Sequence, residues 1–199
     1  MKFLNLFAGL GGNRMGFPSS VGCEIVEVTA VENNPQVAAE YKRHFPDDIV
    51  IVCDAHQYLL AHFAEFDFIW SSPPCQTHSR LNFTMRNRKQ PHYIDAKLWQ
   101  EIMFLRTYYK GFWVVENVVP FYKPFVEPTV LLDRHYFWAS FAISPRVFHK
   151  QIRISEVGIK KLQEYHKYNI ITKLSNKRQC LRNMVNCEIA NYVISSIPW

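Results

Sequence analysis

Nowhere in these 199 residues does an apolar run reach the roughly 18 to 20 residues that cross a bilayer. The opening MKFLNLFAGLGG meets glycines too early to form a signal-peptide core. An intracellular protein is therefore expected, in the cytoplasm or nucleoid or in a eukaryotic nucleus, with no membrane association. The five cysteines (Cys23, Cys53, Cys75, Cys180, Cys187) are odd in number, scattered and never spaced C-x-x-C. That pattern argues against a disulfide framework and against a zinc site, so no metal is expected. It leaves free thiols, one of which could be reactive. Internal repeats, low-complexity tracts and clear linkers are also missing, and one domain over residues 1–199 is expected.

What is present is enough to build a core, since 48% of the residues are hydrophobic and 15% aromatic. The net charge of +6 is unevenly spread. Met1 to Trp70 carries four Lys/Arg against nine Asp/Glu, whereas Arg146 to Arg182 carries ten against two. A basic second half beside an acidic first half suggests a polyanion for one face; a solvated helix surface is the competing reading.

Strand-like runs alternate with helix-like stretches, which predicts a mostly parallel, doubly wound α/β sheet. KFLNLFA, EIVEVTAVE, DIVIVCDA, FDFIWSS and FWVVENV read as five strands, and RHYFWASFAI as a late one. NPQVAAEYKRHF reads as a helix with Asn34 as cap and Pro35 at its first position. Leu98, Ile102, Leu105 and Tyr109 recur at helical spacing and predict one apolar face. RNMVNCEIANYVISSI reads as a closing helix, after a polar, basic excursion from about residue 145 to 176.

Ligands of doubly wound sheets sit beyond the carboxyl ends of the strands. There the first strand offers Gly9, Gly11 and Gly12 for a tight turn, the second Glu32 as an acceptor for ribose hydroxyls, and the third Asp54 as an acceptor for an adenine amino group. A nucleoside-containing cofactor is favoured. The glycines do not follow G-x-G-x-x-G, so nothing is specific for a pyrophosphate, and S-adenosylmethionine suits the pattern better than a dinucleotide.

The ordered pieces LNLFAGLGGNRMGF, VENNP, CDA, SPPCQ and ENV resemble the cytosine-5 DNA methyltransferases from about Phe3 to Val118, and more loosely through RHYFW to LRNMVN. The resemblance implies a Rossmann-like S-adenosylmethionine-dependent methyltransferase fold, S-adenosylhomocysteine as product, and DNA, most simply double-stranded, as partner. It makes Cys75 the nucleophile that adds to carbon 6 of cytosine, which requires surroundings that favour the thiolate, Arg80 among them. Glu116 would hold a proton at ring atom N3, with burial raising its pKa. Arg134 would clamp the base carbonyl, although the family's preceding glutamine is absent from VLLDRHY. Phe7, Gly9, Leu10, Gly11, Glu32, Asp54, Pro74 and Asn183 form the implied cofactor set; the family's usual glycine before that asparagine is Arg182 here. Gln76, His78, Arg80, Arg86, Arg88 and Lys89, interleaved with Phe83, would grip nucleic acid around an extruded base. The family's large target-recognition region is reduced to the basic stretch near 145–176, so recognition is minimal or supplied by a partner subunit. Two other readings stay open: an RNA (tRNA) cytosine-5 methyltransferase, and a non-catalytic cofactor-binding or DNA-binding subunit.

Overall fold

In the computed structural model, which describes residues 1–80, 82, 93–148 and 157–199, the chain begins with β1 (Lys2–Leu6). A single 3-10 turn at Arg14–Gly16 and a small antiparallel hairpin, β2 (Ser20–Val21) with β3 (Glu24–Ile25), lead to β4 (Glu27–Val31). Then come α1 (Pro35–His44), β5 (Ile49–Ile51), α2 (Ala55–His62), β6 (Phe68–Ser71), α3 (Lys97–Tyr108) and β7 (Phe112–Val118). The chain finishes with β8 (Val130–Leu132), β9 (His135–Ala139), α4 (Ile159–His166), α5 (Lys177–Asn183) and α6 (Cys187–Ile194). Seven strands form one sheet in the order β5-β4-β1-β6-β7-β9-β8, and β9 alone runs antiparallel to its neighbours. From β1 the chain builds outward first to β4 and β5 and then, on the other side, to β6 and β7. That reversal opens a crevice at the carboxyl ends of β1 and β6. The fold is the expected Rossmann-like α/β sheet.

Each face of the sheet is covered by apolar helix surface. The face read from spacing, Leu98, Ile102, Leu105 and Tyr109, is buried with Leu4, Ile69 and Val115 on one side. On the other, Ile189, Val193 and Ile194 of α6 pack with Phe3, Trp70 and Phe137. Asn34 caps α1 as expected, accepting from the backbone N–H groups of Gln36 and Val37, with Pro35 behind it.

Four expectations need correction. EIVEVTAVE is two strands, since Val26 leaves β3 to begin a separate parallel pairing in β4. The closing helix is broken: Met184 and Asn186 are extended, and Asn186 caps α6 through the N–H of Glu188 at 2.7 Å. α2 and β8 had no expected counterpart. In the stretch read as a polar excursion, Leu162, Tyr168, Ile170 and Leu174 are buried against Leu10, Val37 and Leu181.

The turn after β1 is braced by a reciprocal pair of buried amides, in which Asn13 Nδ2 donates to Asn5 Oδ1 at 2.6 Å and Asn5 Nδ2 to Asn13 Oδ1 at 3.3 Å. Gly9 and Gly11 both have positive φ, +53° and +79°. A Cβ on Gly9 would make only an ordinary contact with the Phe7 carbonyl at 3.9 Å, whereas one on Gly11 would collide with the rings of Tyr41 and Phe45. Gly9 therefore keeps its backbone accessible to a ligand, and Gly11 serves packing. Gly9→Ala is expected to lose only the roughly 1 to 2 kcal/mol of the left-handed backbone. Gly11→Ala adds an overpacked core and is expected to lose roughly 2 to 4 kcal/mol, read from urea unfolding midpoints.

Candidate active site

β6 and β7 are parallel neighbours with Ser71 opposite Val115, so Ser72, just past the end of β6, follows in register with Glu116, which is still inside β7 and pairs with Phe137 of β9. Glu116 is 6% exposed. Its carboxyl hydrogen-bonds with the Ser72 side chain, whose oxygen also accepts from Trp70 Nε1 at 2.9 Å. His135 Nε2 stands 3.5 Å from Glu116 Oε1, but burial, assisted by the charge of Arg134, holds that imidazole down at about 3. A neutral His135 gives no counter-charge. Burial thus pushes the Glu116 carboxyl up to about 7, against the opposing pull of the Ser72 bond and Arg134. A carboxyl at that value exchanges a proton at neutral pH.

Cys75 follows three residues after Ser72 and is half-buried. Its carbonyl accepts from the N–H groups of His78 and Ser79 at 3.1 and 3.0 Å, which curls the loop. Asn117 Nδ2 donates to the Pro73 carbonyl at 2.9 Å and ties that loop to β7. The Cys75 thiol is pushed up to about 11, mainly by burial and then by the negative charge of Glu116; Arg182 and Arg134 pull it the other way. The expectation of surroundings that favour the thiolate is overturned for the unliganded protein, because desolvation outweighs two cations. Arg80 is exposed and is not among the charges that act on the sulfur.

Arg134 lies in the β8–β9 turn beside Asp133, whose backbone is left-handed at φ +54°. Its side chain is 50% exposed, with Nε 3.8 Å from Asp133 Oδ2, and its charge reaches Glu116 and Cys75. Cys75, Glu116 and Arg134 are thus one electrostatic unit. Gln76 and Arg80 are exposed next to it. His78 is not available to phosphates: it is 1% exposed, and its Nδ1 is hydrogen-bonded to the Tyr122 hydroxyl at 2.5 Å. Arg86, Arg88 and Lys89, with Phe83, lie outside the described residues.

Of the expected cofactor residues, Phe7, Gly9, Leu10, Gly11, Glu32 and Asp54 follow the ends of β1, β4 and β5, whereas Pro74 follows β6 and Asn183 lies on α5. Glu32 receives the N–H of Gly9 on Oε2 at 3.0 Å and that of Asn34 on Oε1 at 2.9 Å, and each oxygen keeps a further lone pair for a hydroxyl. The half-buried Phe7, itself left-handed at φ +54°, packs against the core cluster that includes Leu6, Val31 and Ala55. Asp54 is partly committed elsewhere: its Oδ1 caps α2 through Gln57 N–H at 2.9 Å, and its Oδ2 lies 3.8 Å from Lys97 Nζ. The cap holds its carboxyl below the usual range. Leu10 is enclosed in the core, so it can offer a ligand only backbone. Pro74 is exposed. Asn183 ends α5, its Oδ1 taken by Gln179 Nε2 at 2.7 Å, while the charge of Glu32 reaches Cys180 one turn earlier. An open Gly9 backbone beside a ribose-type acceptor fits an uncharged nucleoside.

Ser72, Asn117 and His135 belong to this site and were not picked out from the sequence. Asn117 carried a signal, its place beside Glu116 in ENV; Ser72 and His135 acquire their roles only from strand register.

Residues 1–123 match the family model described as C-5 cytosine-specific DNA methylase. The Type II methyltransferase M.HgiCI of Herpetosiphon aurantiacus is 30% identical over 128 residues, which are 59% of this chain and 27% of that protein. The chain therefore spans about a quarter of that relative's length. Among solved structures, the Entamoeba histolytica methyltransferase EhMeth aligns with 98% of this chain and 97% of its own at TM-score 0.55 and 12% identity, a likeness of fold. Spodoptera frugiperda DNMT2 is 26% identical over 59% of this chain and 35% of its own, at TM-score 0.42.

Glu116→Gln tests the electrostatics without any substrate. Removing the carboxylate charge is expected to lower the pH midpoint of Cys75 alkylation by iodoacetamide, read by peptide mass mapping. The raised carboxyl gives its full stability below its unfolded value and loses it as pH rises through about 7. Glutamine does not ionise, so the variant should gain on wild type between about pH 5 and 8 by roughly 3 kcal/mol at most, read from urea unfolding.

Proposed function

The chain belongs to the C-5 cytosine-specific DNA methylase family, and on that premise we propose that it methylates carbon 5 of cytosine in DNA through a covalent adduct at Cys75. The observation that carries this reading is the Glu116 carboxyl, raised to about 7 within the electrostatic reach of the Cys75 thiol. S-adenosylmethionine, held by Phe7, the Gly9 backbone and Glu32, would supply an electrophilic methyl group and depart as S-adenosylhomocysteine.

The Cys75 sulfur forms a bond to carbon 6 of the ring, and the electron pair of the 5,6 double bond becomes available at carbon 5. Glu116 in its protonated form donates to N3 and stabilises the charge that develops there. Arg134, whose charge reaches both Glu116 and Cys75, would donate from its guanidinium to the carbonyl oxygen of the base. After carbon 5 takes the methyl group it loses its proton to solvent, the sulfur–carbon bond breaks to restore the double bond and release the thiolate, and N3 returns its proton to Glu116. A base inside a duplex hides carbon 6, so the nucleotide is extruded into the site at a cost of a few kcal/mol. Exposed Gln76 and Arg80 border the opening where its backbone would lie.

The raised thiol does not conflict with this chemistry. The reactive form, bare sulfur with protonated carboxyl, holds the same number of protons as the resting form, thiol with carboxylate. One proton moved between the two groups interconverts them. Between about 7 and 11 the pair carries that single proton.

Duplex DNA containing 5-fluorocytosine, incubated with the protein and S-adenosylmethionine, should give a slow-migrating covalent adduct, because fluorine does not leave as a proton does. Cys75→Ala should give none. Absence of the adduct with wild type on DNA, or its appearance only with tRNA, would overturn DNA as the substrate. On the proton inventory, kcat/KM should rise with pH through about 7 and stay level to about pH 9; a profile that falls from pH 6 to 8 would contradict the shared proton.

A further inference from the structure

Glu101 is fully buried on α3 and takes no part in the chemistry above. Ionisable groups stay at such depth only when paired. Its Oε2 accepts a 2.6 Å hydrogen bond from the hydroxyl of Ser71, which is itself fully buried. Its Oε1 faces Nδ1 of His56 on α2 at 3.4 Å, a charge pairing outside hydrogen-bond geometry. Asp54 and Lys97 are the other charges that act on His56.

The place of Ser71 gives this cluster its meaning. Successive strand residues point to opposite faces of a sheet. Trp70 and Ser72 are bonded to each other on one face, and Ile69 packs with α3 on the other, where Ser71 meets Glu101. The last residues of β6 are thus pinned from both sides, Ser72 by Glu116 and Ser71 by Glu101. Three residues beyond Ser72 comes the sulfur. A strand end held on one face alone can twist about its axis, and such a twist would carry Cys75 away from Glu116.

We propose that Glu101 is a positioning residue: through Ser71 it fixes the end of β6, and hence the approach of Cys75 to Glu116 and the bound base. His56 is its counter-charge and anchors it to α2. The proposal rests on Cys75 as nucleophile for its kinetic consequence but not for its structural one.

Ser71→Ala removes the pin and leaves the Glu101–His56 pairing; Glu101→Gln removes the charge that His56 holds, so the acceptor for Ser71 loses its anchor to α2. Both are to be compared with wild type in the full chain, by iodoacetamide labelling of Cys75 relative to exposed Cys23 and by methyl-transfer kinetics on DNA. The expected result for Ser71→Ala is labelling of Cys75 several-fold faster, with a kcat loss of about tenfold and little change in KM for S-adenosylmethionine. Glu101→Gln should move both in the same direction. If Ser71→Ala does not fold, Glu101→Gln decides by the same two measurements. Unchanged relative labelling and kcat in a cooperatively folded variant, even one of lower stability, overturn the proposal. Should wild type itself transfer no methyl group to DNA, the proposed function fails separately, and the labelling ratio still decides whether Glu101 holds the loop.

Discussion

Parallel pairing of β6 with β7 brings the Cys75 loop, which leaves the end of β6, beside Glu116, which stays inside β7, so that the charge of Glu116 acts on the thiol against an apolar core. Burial penalises the ionised form of each group, and the negative charge of either penalises the other. A solvated cysteine beside a solvated glutamate would keep ordinary values and gain nothing from the neighbourhood. Here desolvation leaves a pair that shares one proton between about 7 and 11, and on the proposed function moving that proton would create nucleophile and acid at once. Trp70, Phe137 and Val115, which exclude water from the core, therefore help set the chemistry as well as the stability.

The second half of the chain closes the site rather than hanging from it. Leu162, Tyr168, Ile170 and Leu174 pack with Leu10 and Val37 over the turn that follows β1. Thr172 Oγ1 donates to the buried Glu40 at 2.6 Å, and Arg43 reaches the Asn169 carbonyl at 2.9 Å, so this stretch is tied to α1. α5 then brings Cys180 within reach of the charge on Glu32 and Arg182 within reach of Cys75. One short helix thereby links the Glu32 side of the crevice to the Cys75 side, and the charge of Arg182 opposes the upward shift of the thiol.

The parallel core of this fold was legible because its signals are local. β-branched and aromatic runs marked β1, β6 and β7, the asparagine–proline start marked α1, and apolar spacing marked the buried face of α3. Ordered motifs at strand ends located Cys75, Glu116 and Glu32. Tertiary decisions were not legible. Net charge made 145–176 look solvated, although Leu162, Tyr168, Ile170 and Leu174 within it are buried. His78 looked like a phosphate ligand because it stands next to cations in sequence, whereas the loop turns its ring inward onto Tyr122. The sign of the Cys75 shift depends on how much water the sheet removes, a quantity that nearby basic residues in sequence do not report.

The same proton inventory bears on the choice of base. Arg134 and Arg182 pull the Cys75 thiol down, but their charges do not outweigh burial. Relief then has to come from Glu116, whose negative charge is the second largest cause of the raised thiol. Cytosine presents N3 as an acceptor, which favours a protonated Glu116 and so removes that charge from beside the sulfur. Thymine and uracil present an N3–H donor, which favours the carboxylate and keeps the thiol neutral. On the proposed reading, selection of cytosine and activation of Cys75 are therefore a single electrostatic event, and a pyrimidine of the wrong hydrogen-bonding pattern is rejected by failing to create the nucleophile.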